Sequence, residues 1–224
     1  MSSHIRFAIY YLPPEGALAQ FGARWLGWDC LTGETAPQPD LPEIAKATDA
    51  PRKYGFHATL KPPFRLATDT PPDALRTALA QLTANQPPVV LDGLTLDRLG
   101  NFLALRPVGD TTALNTLAGQ CVTGLDRFRA PPEPAELARR RKSGLSPRQD
   151  ELLREWGYPY VLEEFRFHMT LSGSLDEDGL TRFRDEIIRR LPALPRPYVI
   201  DSIALVGQRA DGMFQLIQRY ALTG

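Results

Sequence analysis

Two five-residue stretches, residues 56–60 and 167–171, repeat the pattern F-H-x-T-L in a chain whose only other histidine is His4. Histidine changes its charge near physiological pH, so two imidazoles held together can move protons in opposite directions. His57 or His168 could take a proton from an attacking oxygen while the other gives one to a departing oxygen. The pair predicts acid–base chemistry at a phosphate, and the sequence leaves open which histidine is the acid.

Strand geometry adds polar neighbours to each histidine. Side chains alternate along a strand, so Thr59 shares the face of His57 and Thr170 shares the face of His168. Their hydroxyls can donate hydrogen bonds to phosphate oxygens. These four residues are the predicted catalytic set. A second group is predicted to bind the substrate, because its members share a strand face with the motif residues or carry an aromatic ring near the site: Lys61, Arg166, Ser172, Tyr54 and Tyr10. Tyr11 stays open as the alternative to Tyr10, since neighbouring strand residues face opposite ways and at most one of the two can face the cleft.

Composition favours a small ligand. The chain has 26 Lys and Arg against 26 Asp and Glu, and a sequence pI near 6.8. This balance gives no strong attraction to long nucleic acids or anionic membranes, so we expect a small phosphorylated substrate and no membrane partner. The apolar run from Phe7 to Leu12 is too short for a secretion signal, and we expect a cytoplasmic protein.

Cysteine and histidine usage predicts neither a metal nor a cofactor. Cys30 and Cys121 fit no metal-ligand spacing and no disulfide framework, so we interpret them as buried thiols of a reducing compartment. No acidic or cysteine residues are spaced around the three histidines as zinc ligands would be.

Hydrophobic periodicity and turn residues predict alternating helices and strands. Helices are expected over residues 14–28, 73–85, 112–128, 133–142, 147–156 and 177–191. Strands are expected over residues 5–12, 89–99, 102–106, 198–206 and 213–222, and at both F-H-x-T-L stretches. The first motif strand should stop at Pro62 and Pro63, and residues 29–53 should be irregular.

Each half of the chain has the same order of motif strand, loop, helix and hairpin, which predicts an internal duplication. We expect a single bilobal domain with lobes at about 1–107 and 108–224, and the two histidines across a pseudo-two-fold cleft. A helical insertion at 130–160 interrupts the second lobe. Its basic run, residues 139–142, is either a phosphate-capturing lid or a solvated helix face.

The motifs His57-Ala58-Thr59-Leu60 and His168-Met169-Thr170-Leu171 resemble those of the 2H phosphoesterase superfamily, which is named for two H-x-[ST]-x motifs. The longer run from Arg52 to Phe64 resembles a branch encoded with bacterial phosphonate-degradation genes. The resemblance implies an α+β, RNA-ligase-like fold in which two antiparallel sheets face a central cleft with helices outside. It also implies metal-independent catalysis on cyclic phosphodiesters.

The leading hypothesis is a 2H-type cyclic phosphodiesterase acting on a small ribose-linked substrate, such as a phosphoribosyl or nucleoside cyclic phosphate, in phosphonate metabolism. A non-catalytic module that binds a phosphorylated metabolite or an RNA end is the first alternative. An RNA-end processing or joining enzyme is the second, and it would need a basic channel with exposed aromatic residues. The natural substrate and the oligomeric state stay open.

Overall fold

The computed structural model describes residues 4–224, which form an α+β fold. In chain order the elements are β1 (Phe7–Tyr11), α1 (Ala17–Leu26), β2 (Trp28–Asp29), β3 (Glu34–Thr35), α2 (Ile44–Ala47), α3 (Asp49–Arg52), β4 (Ala58–Phe64), α4 (Pro72–Ala84), β5 (Val89–Leu91), β6 (Gly93–Leu99), β7 (Phe102–Val108), α5 (Thr112–Gly124), α6 (Pro134–Arg141), α7 (Pro147–Trp156), β8 (Met169–Thr170), α8 (Glu177–Arg190), β9 (Tyr198–Ile200), β10 (Ser202–Gln208) and β11 (Phe214–Ala221). Short 3₁₀ turns lie at Asp126–Phe128 and Leu162–Glu164.

Seven strands form one antiparallel sheet in the order β11-β10-β1-β4-β8-β7-β6. The two antiparallel sheets expected from the sequence are the two parts of this sheet. Strands β11, β10, β1 and β4 form one part, and β8, β7 and β6 form the other. The parts meet where Ala58 of β4 pairs with Met169 of β8. The predicted α+β class with antiparallel strands is confirmed.

The two halves of the chain exchange their hairpins. Hairpin β6–β7 from the first half pairs with β8, which carries the second motif. Hairpin β10–β11 from the second half pairs with β1 of the first. Strands β5 and β9 pair with each other in a separate two-stranded sheet. The lobe boundary near 107 stays a prediction, but neither sequence half forms its part of the large sheet alone.

The two motif strands differ from their predicted lengths. β4 begins at Ala58, after His57, and continues through Pro62 and Pro63 to Phe64. Beyond Ala58 the β8 side of β4 has no paired strand in the described residues, and prolines are tolerated on such an edge. β8 is only two residues long, so both motif histidines lie just before their strands.

All six predicted helices are present; α7 has its predicted bounds and the other five have shifted ends. α1 starts after Gly16 rather than at Pro14 and ends at Gly27, whose φ of 80° is the left-handed conformation that glycine adopts most readily. The region 29–53, predicted to be irregular, holds the short elements β2, β3, α2 and α3. Elements of two to four residues are too short for hydrophobic periodicity to reveal.

One face of the large sheet packs on the helices. Alternate residues of the strands, such as Ile9, Leu60, Leu105 and Met169, enter this main core and are 1% exposed or less. The opposite face carries the motif histidines. Both cysteines are buried and free, as predicted.

The insertion consists of α6 and α7, which contact each other. α7 begins with a capping box in which Ser146 and Gln149 satisfy each other's backbone amides. It buries Leu152 in a small cluster with Val122 and Val161, which attaches the insertion to the body of the protein. Across residues 4–224, none of the helices has the length and apolarity needed to cross a bilayer.

Candidate active site

The register of the two motif strands places the predicted catalytic residues together. Ala58 lies opposite Met169. One residue to either side, His57 comes opposite Thr170 and Thr59 comes opposite His168, because antiparallel strands pair in opposite directions. All four residues point away from the main core, since side chains alternate and Ala58 and Met169 are buried in it.

These four side chains form a square with pseudo-two-fold symmetry about the Ala58–Met169 pair. His57 and His168 occupy one diagonal, and diagonal neighbours on paired strands have Cβ atoms roughly 7 Å apart. Imidazole rings at that separation can reach opposite sides of one phosphate. Burial is the main cause of the lowered pKa of His57, and a positive charge on His168 is a further cause, which agrees with the proximity of the two rings.

Both histidines are held in the same tautomer. Nδ1 of His57 lies 2.9 Å from the Gly55 carbonyl oxygen, and Nδ1 of His168 lies 2.7 Å from the Arg166 carbonyl oxygen. A carbonyl only accepts, so each Nδ1–H donates, and Nε2 is left to exchange protons. Nε2 of His57 lies 3.0 Å from the Thr59 hydroxyl, which can donate to it.

Burial keeps both imidazoles neutral near pH 7. It lowers the pKa of His57 to about 4, against the hydrogen bond from Nδ1 to Gly55, which favours the charged form. The pKa of His168 is also lowered, first by burial and further by the charge of Arg106. A neutral imidazole is ready to act as a base. An anion bound beside either ring would raise its pKa again and allow it to act as an acid.

Tyr10, a predicted substrate-binding residue, instead supports His57. Its side chain is fully buried, and its ring stacks on the His57 ring with centroids 3.8 Å apart. Tyr11 takes the opposite face and enters the core, where its hydroxyl lies 2.7 Å from that of Tyr198. The structure thus decides between the two tyrosines: Tyr10 contacts the ring of His57, and Tyr11 lies in the core.

An open cavity of about 290 Å³ adjoins His57 and Thr170. Two of its lining residues are aromatic. The ring centroid of Tyr54 is 6.0 Å from that of His57, and the ring centroid of Phe102 is 5.7 Å from that of His168. The remaining lining residues are Ala50, Pro51, His57, Thr170, Ser172, Gly173 and Ser174. The cavity is therefore lined by two aromatic rings and by His57 and Thr170 of the predicted catalytic set.

Ser172 lines this cavity, but its hydroxyl is already engaged. It donates to the Gly173 carbonyl oxygen at 2.9 Å and accepts from the Leu103 amide at 2.9 Å. The contact with Leu103 attaches the segment that follows β8 to strand β7. Ser172 thus shapes the cavity without a free donor for the substrate.

A β-bulge turns Lys61 away from the site. Tyr10 of β1 pairs with Thr59, but the preceding residue of β1, Ile9, pairs with Lys61. Leu60 is the extra residue, and an extra residue reverses the alternation that follows it. Lys61 therefore lies on the core side of β4 rather than on the face of Thr59.

The buried Lys61 ammonium group has its own partners beside α5. It donates to the Val122 carbonyl oxygen at 2.8 Å and pairs with the Asp126 carboxylate at 3.3 Å. Burial lowers the pKa of Lys61 to about 8, against the attraction of Asp126. The structure does not bring this predicted cation to the cavity.

The Arg166 side chain, predicted to bind the substrate, instead contacts the backbone. Its exposed side chain folds back and donates to the carbonyl oxygens of Glu163 and Phe165, at 2.9 and 2.7 Å. Its own carbonyl oxygen holds His168. The contribution of Arg166 to the site in this structure comes from its backbone.

Sequence reasoning missed the residues that β7 and the insertion bring to the site. Phe102 and Arg106 lie on the site face of β7, where Ala104 pairs with Thr170. Their alternation is visible in the sequence, but the pairing of β7 with β8 is not. From the insertion, Arg140 lies 4.8 Å from the ring centroid of Tyr158.

In the insertion, Tyr158 packs against Arg140 and Tyr160. Burial raises the pKa of Tyr158, Arg140 opposes that rise, and nearby Tyr160 and Tyr54 add to it. Within the basic run, Arg140 also pairs with Glu136 at 2.8 Å, so this arginine packs inward rather than lying on a solvated face. Throughout the described range 4–224, no group of three or more His, Cys, Asp or Glu side chains is arranged to hold a metal ion.

Comparison with known proteins assigns the family. The family described as "Protein of unknown function (DUF1045)" matches residues 59–215, which include Thr59 and the whole second motif. The chain belongs to the DUF1045 family. In this DUF1045 chain the two H-x-T-x motifs lie side by side, where Ala58 pairs with Met169.

Two curated relatives of this DUF1045 chain are named "Ribose 1,5-bisphosphate phosphokinase PhnN". The protein from Janthinobacterium sp. (strain Marseille) is 37% identical over 221 residues, 94% of this chain and 49% of that protein. The protein from Laribacter hongkongensis (strain HLHK9) is 39% identical over 181 residues, 77% of this chain and 41% of that protein. The chain spans about half the length of the first relative and less of the second.

Solved structures resemble this DUF1045 chain more distantly. E. coli LigT complexed with 3'-AMP has a TM-score of 0.46 at 17% identity, with 98% of each chain covered. A structure described as a phosphoesterase has a TM-score of 0.45 at 14% identity, covering 99% of this chain and 100% of its own.

Proposed function

We propose that this chain is a metal-independent phosphoesterase that hydrolyses a small ribose-linked cyclic phosphodiester. The observation that carries this proposal is the β4–β8 register, which puts two imidazoles and two threonine hydroxyls on one face. Both imidazoles have Nδ1 tied to a backbone carbonyl, so both Nε2 atoms are left for proton transfer.

The reaction divides between the two histidines. A water oxygen attacks phosphorus and gives its proton to Nε2 of one imidazole. The bond from phosphorus to one ribose oxygen breaks, and that oxygen takes a proton from Nε2 of the other imidazole. The product is a phosphomonoester with a free ribose hydroxyl. The negative charge of the bound phosphate raises the pKa of the adjacent ring, which allows one histidine to enter the complex protonated.

The threonines complete the site. Thr59 lies across from His168 in the register and its hydroxyl is 3.0 Å from Nε2 of His57, while Thr170 lies across from His57. Hydroxyl donors at these positions suit the two non-bridging oxygens and fix phosphorus between the rings. The cavity bounded by Tyr54 and Phe102 offers apolar surface for the remainder of a small substrate.

The relatives support a ribose-linked substrate. Their name refers to a ribose carrying phosphates, and opening a cyclic phosphate on ribose gives a product of that chemical class. The ribose phosphate is proposed for this chain but the kinase activity is not, because its 224 residues contain no G-x-x-x-x-G-K-[ST] phosphate loop for nucleotide-dependent phosphorylation. The resemblance to the branch encoded with phosphonate-degradation genes supports a role in phosphonate metabolism.

Turnover in chelator tests the proposed function. The purified protein with excess EDTA should open a ribose cyclic phosphate, followed by ³¹P NMR. His57→Ala and His168→Ala should each lower kcat by about two orders of magnitude or more, because each removes one proton-transfer group. His4→Gln is the matched control, since His4 lies outside the motifs and should leave kcat unchanged. Full activity in either motif variant would defeat the two-histidine mechanism.

One observation favours the binding module as a second candidate. Burial lowers the pKa of both imidazoles and favours their neutral form, so a proton donor arises only when an anion raises the pKa of one ring. A ligand that fails to do so would be held and not cleaved. Tight binding across a panel of cyclic phosphates with no turnover would support this second function over the first.

A further inference from the structure

Arg106, which is not among the predicted site residues, lies next to His168. β7 pairs with β8 so that Ala104 is opposite Thr170 and Leu105 is opposite Met169. One residue further along, Arg106 comes opposite His168. Because side chains alternate, Arg106 shares the face of His168 and Thr170, while Leu105 enters the main core on the other side.

The guanidinium group of Arg106 is held at one end and free at the other. Its Nη1 donates to the Asp97 carboxylate at 2.6 Å, which fixes the side chain across the β6–β7 hairpin. Its Nε is buried and has no hydrogen-bond partner among residues 4–224, and Nη2 makes no hydrogen bond to that part of the chain. The side chain is 35% exposed, so solvent and ligands can reach it. A guanidinium group that uses only Nη1 in a hydrogen bond retains N–H donors for an oxyanion.

The charge of Arg106 already acts on the site. Burial is the main cause of the lowered pKa of His168, and the charge of Arg106 is a further cause, which requires that the guanidinium lie close to the imidazole. The two cations predicted from the sequence are engaged elsewhere, Lys61 with Asp126 and Arg166 with backbone carbonyls. Among these three cations, Arg106 is the one that the strand register places beside a motif histidine.

We propose that Arg106 binds a non-bridging oxygen of the phosphate that lies between His57 and His168. This inference rests on the proposed function, because it assumes that a phosphate occupies the face shared by the two histidines. A guanidinium donates a charge-assisted hydrogen bond to such an oxygen and offsets its negative charge, and Asp97 holds it in place for that contact. Arg106 thus makes the pseudo-symmetric site unequal, with a cation beside the second histidine.

Binding of inorganic phosphate tests this proposal without requiring turnover. Isothermal titration calorimetry would compare the full chain with Arg106→Gln, Arg106→Lys and Arg98→Gln. Arg98→Gln is the matched control: it removes the same charge from β6, but Arg98 pairs with Glu177 at 2.7 Å and lies away from the site. Arg106→Gln should weaken phosphate binding by about tenfold or more, and Arg106→Lys by less, because lysine keeps the charge without the fork. Arg98→Gln should stay within about twofold of the native chain.

A second readout separates phosphate binding from a merely structural role. NMR titration should show the pKa of His168 rising in Arg106→Gln and staying unchanged in Arg98→Gln, because only the first removes the neighbouring charge. Thermal unfolding verifies that each variant is folded. An unchanged phosphate affinity in folded Arg106→Gln would overturn the assignment, as would failure of the native chain to bind phosphate.

The outcomes also distinguish the two proposals. If the native chain binds phosphate and Arg106→Gln does not, while no cyclic phosphate is hydrolysed, the Arg106 assignment stands and the hydrolase fails. If the native chain hydrolyses a cyclic phosphate and Arg106→Gln retains the same KM and phosphate affinity, the hydrolase stands and the Arg106 assignment fails.

Discussion

The ring of Tyr10 lies against the ring of His57, with centroids 3.8 Å apart and planes inclined by only 23°. Tyr10 is fully buried, so the imidazole rests on a surface that cannot move without disturbing the core around β1. The Gly55 carbonyl holds the Nδ1 edge of the same imidazole. Stacking and hydrogen bonding together fix the plane and the direction of Nε2.

Removing the Tyr10 ring should loosen and hydrate His57. In Tyr10→Leu we expect the pKa of His57 to rise from about 4 toward its ordinary value of 6.5, because burial is the main cause of its depression. We also expect kcat to fall by about tenfold, since the ring loses its fixed position. Tyr10→Phe keeps the ring and serves as the control. An NMR titration in which Tyr10→Leu left the pKa of His57 unchanged would contradict this account.

The low pKa of His57 makes stability depend on pH in a defined direction. Between pH 6.5 and about 4 the unfolded chain binds a proton at this residue and the folded chain does not, so acid favours unfolding. Lowering the pH from 7 to 5 should cost about 1 to 2 kcal/mol of unfolding free energy through His57. Urea denaturation at both pH values should show a smaller loss in His57→Gln. Carboxylate titration is common to both proteins, and equal losses would rule out a buried neutral His57.

The Thr59 hydroxyl should matter for turnover and little for stability. Its oxygen is 3.0 Å from Nε2 of His57, the atom proposed to exchange a proton with the substrate. Thr59→Val keeps the shape and removes the donor, so kcat/KM should fall by about 10- to 100-fold. Thr59→Ser should recover most of the activity. Thr170→Val should behave like Thr59→Val if the pseudo-two-fold site is used as proposed, and native activity in both valine variants would exclude the hydroxyls from the reaction.

Lys61 should show the opposite pattern, affecting stability and not activity. Lys61→Met leaves the Val122 carbonyl oxygen without its donor, but Asp126 keeps Arg129 at 2.8 Å. The unfolding free energy should drop by about 2 kcal/mol, measured by urea denaturation. The KM for a cyclic phosphate should stay within about twofold of the native value. A tenfold higher KM in a stably folded variant would place Lys61 in the substrate site after all.

The sequence alone was sufficient for most of the elements and for the central pair of motifs. Helices such as α4 and α8 follow from apolar residues at helical spacing, and hairpin β6–β7 follows from the Gly100 turn between alternating segments. The alternation within F-H-x-T-L also correctly put each threonine on the face of its own histidine. These features are local, because they depend on residues a few positions apart along the chain.

Relationships between distant strands were decided only by the tertiary structure. Whether His57 lies opposite Thr170 depends on the pairing of Ala58 with Met169. A shift of one residue in this register would have placed the motif side chains on the other face of the sheet. The bulge at Leu60 turned Lys61 into the core, and the pairing of β7 with β8 brought Arg106 to His168. Local patterns predict which residues share a face of one strand. Which cation reaches the phosphate is set by the register between strands, and that register is determined by packing across the whole chain.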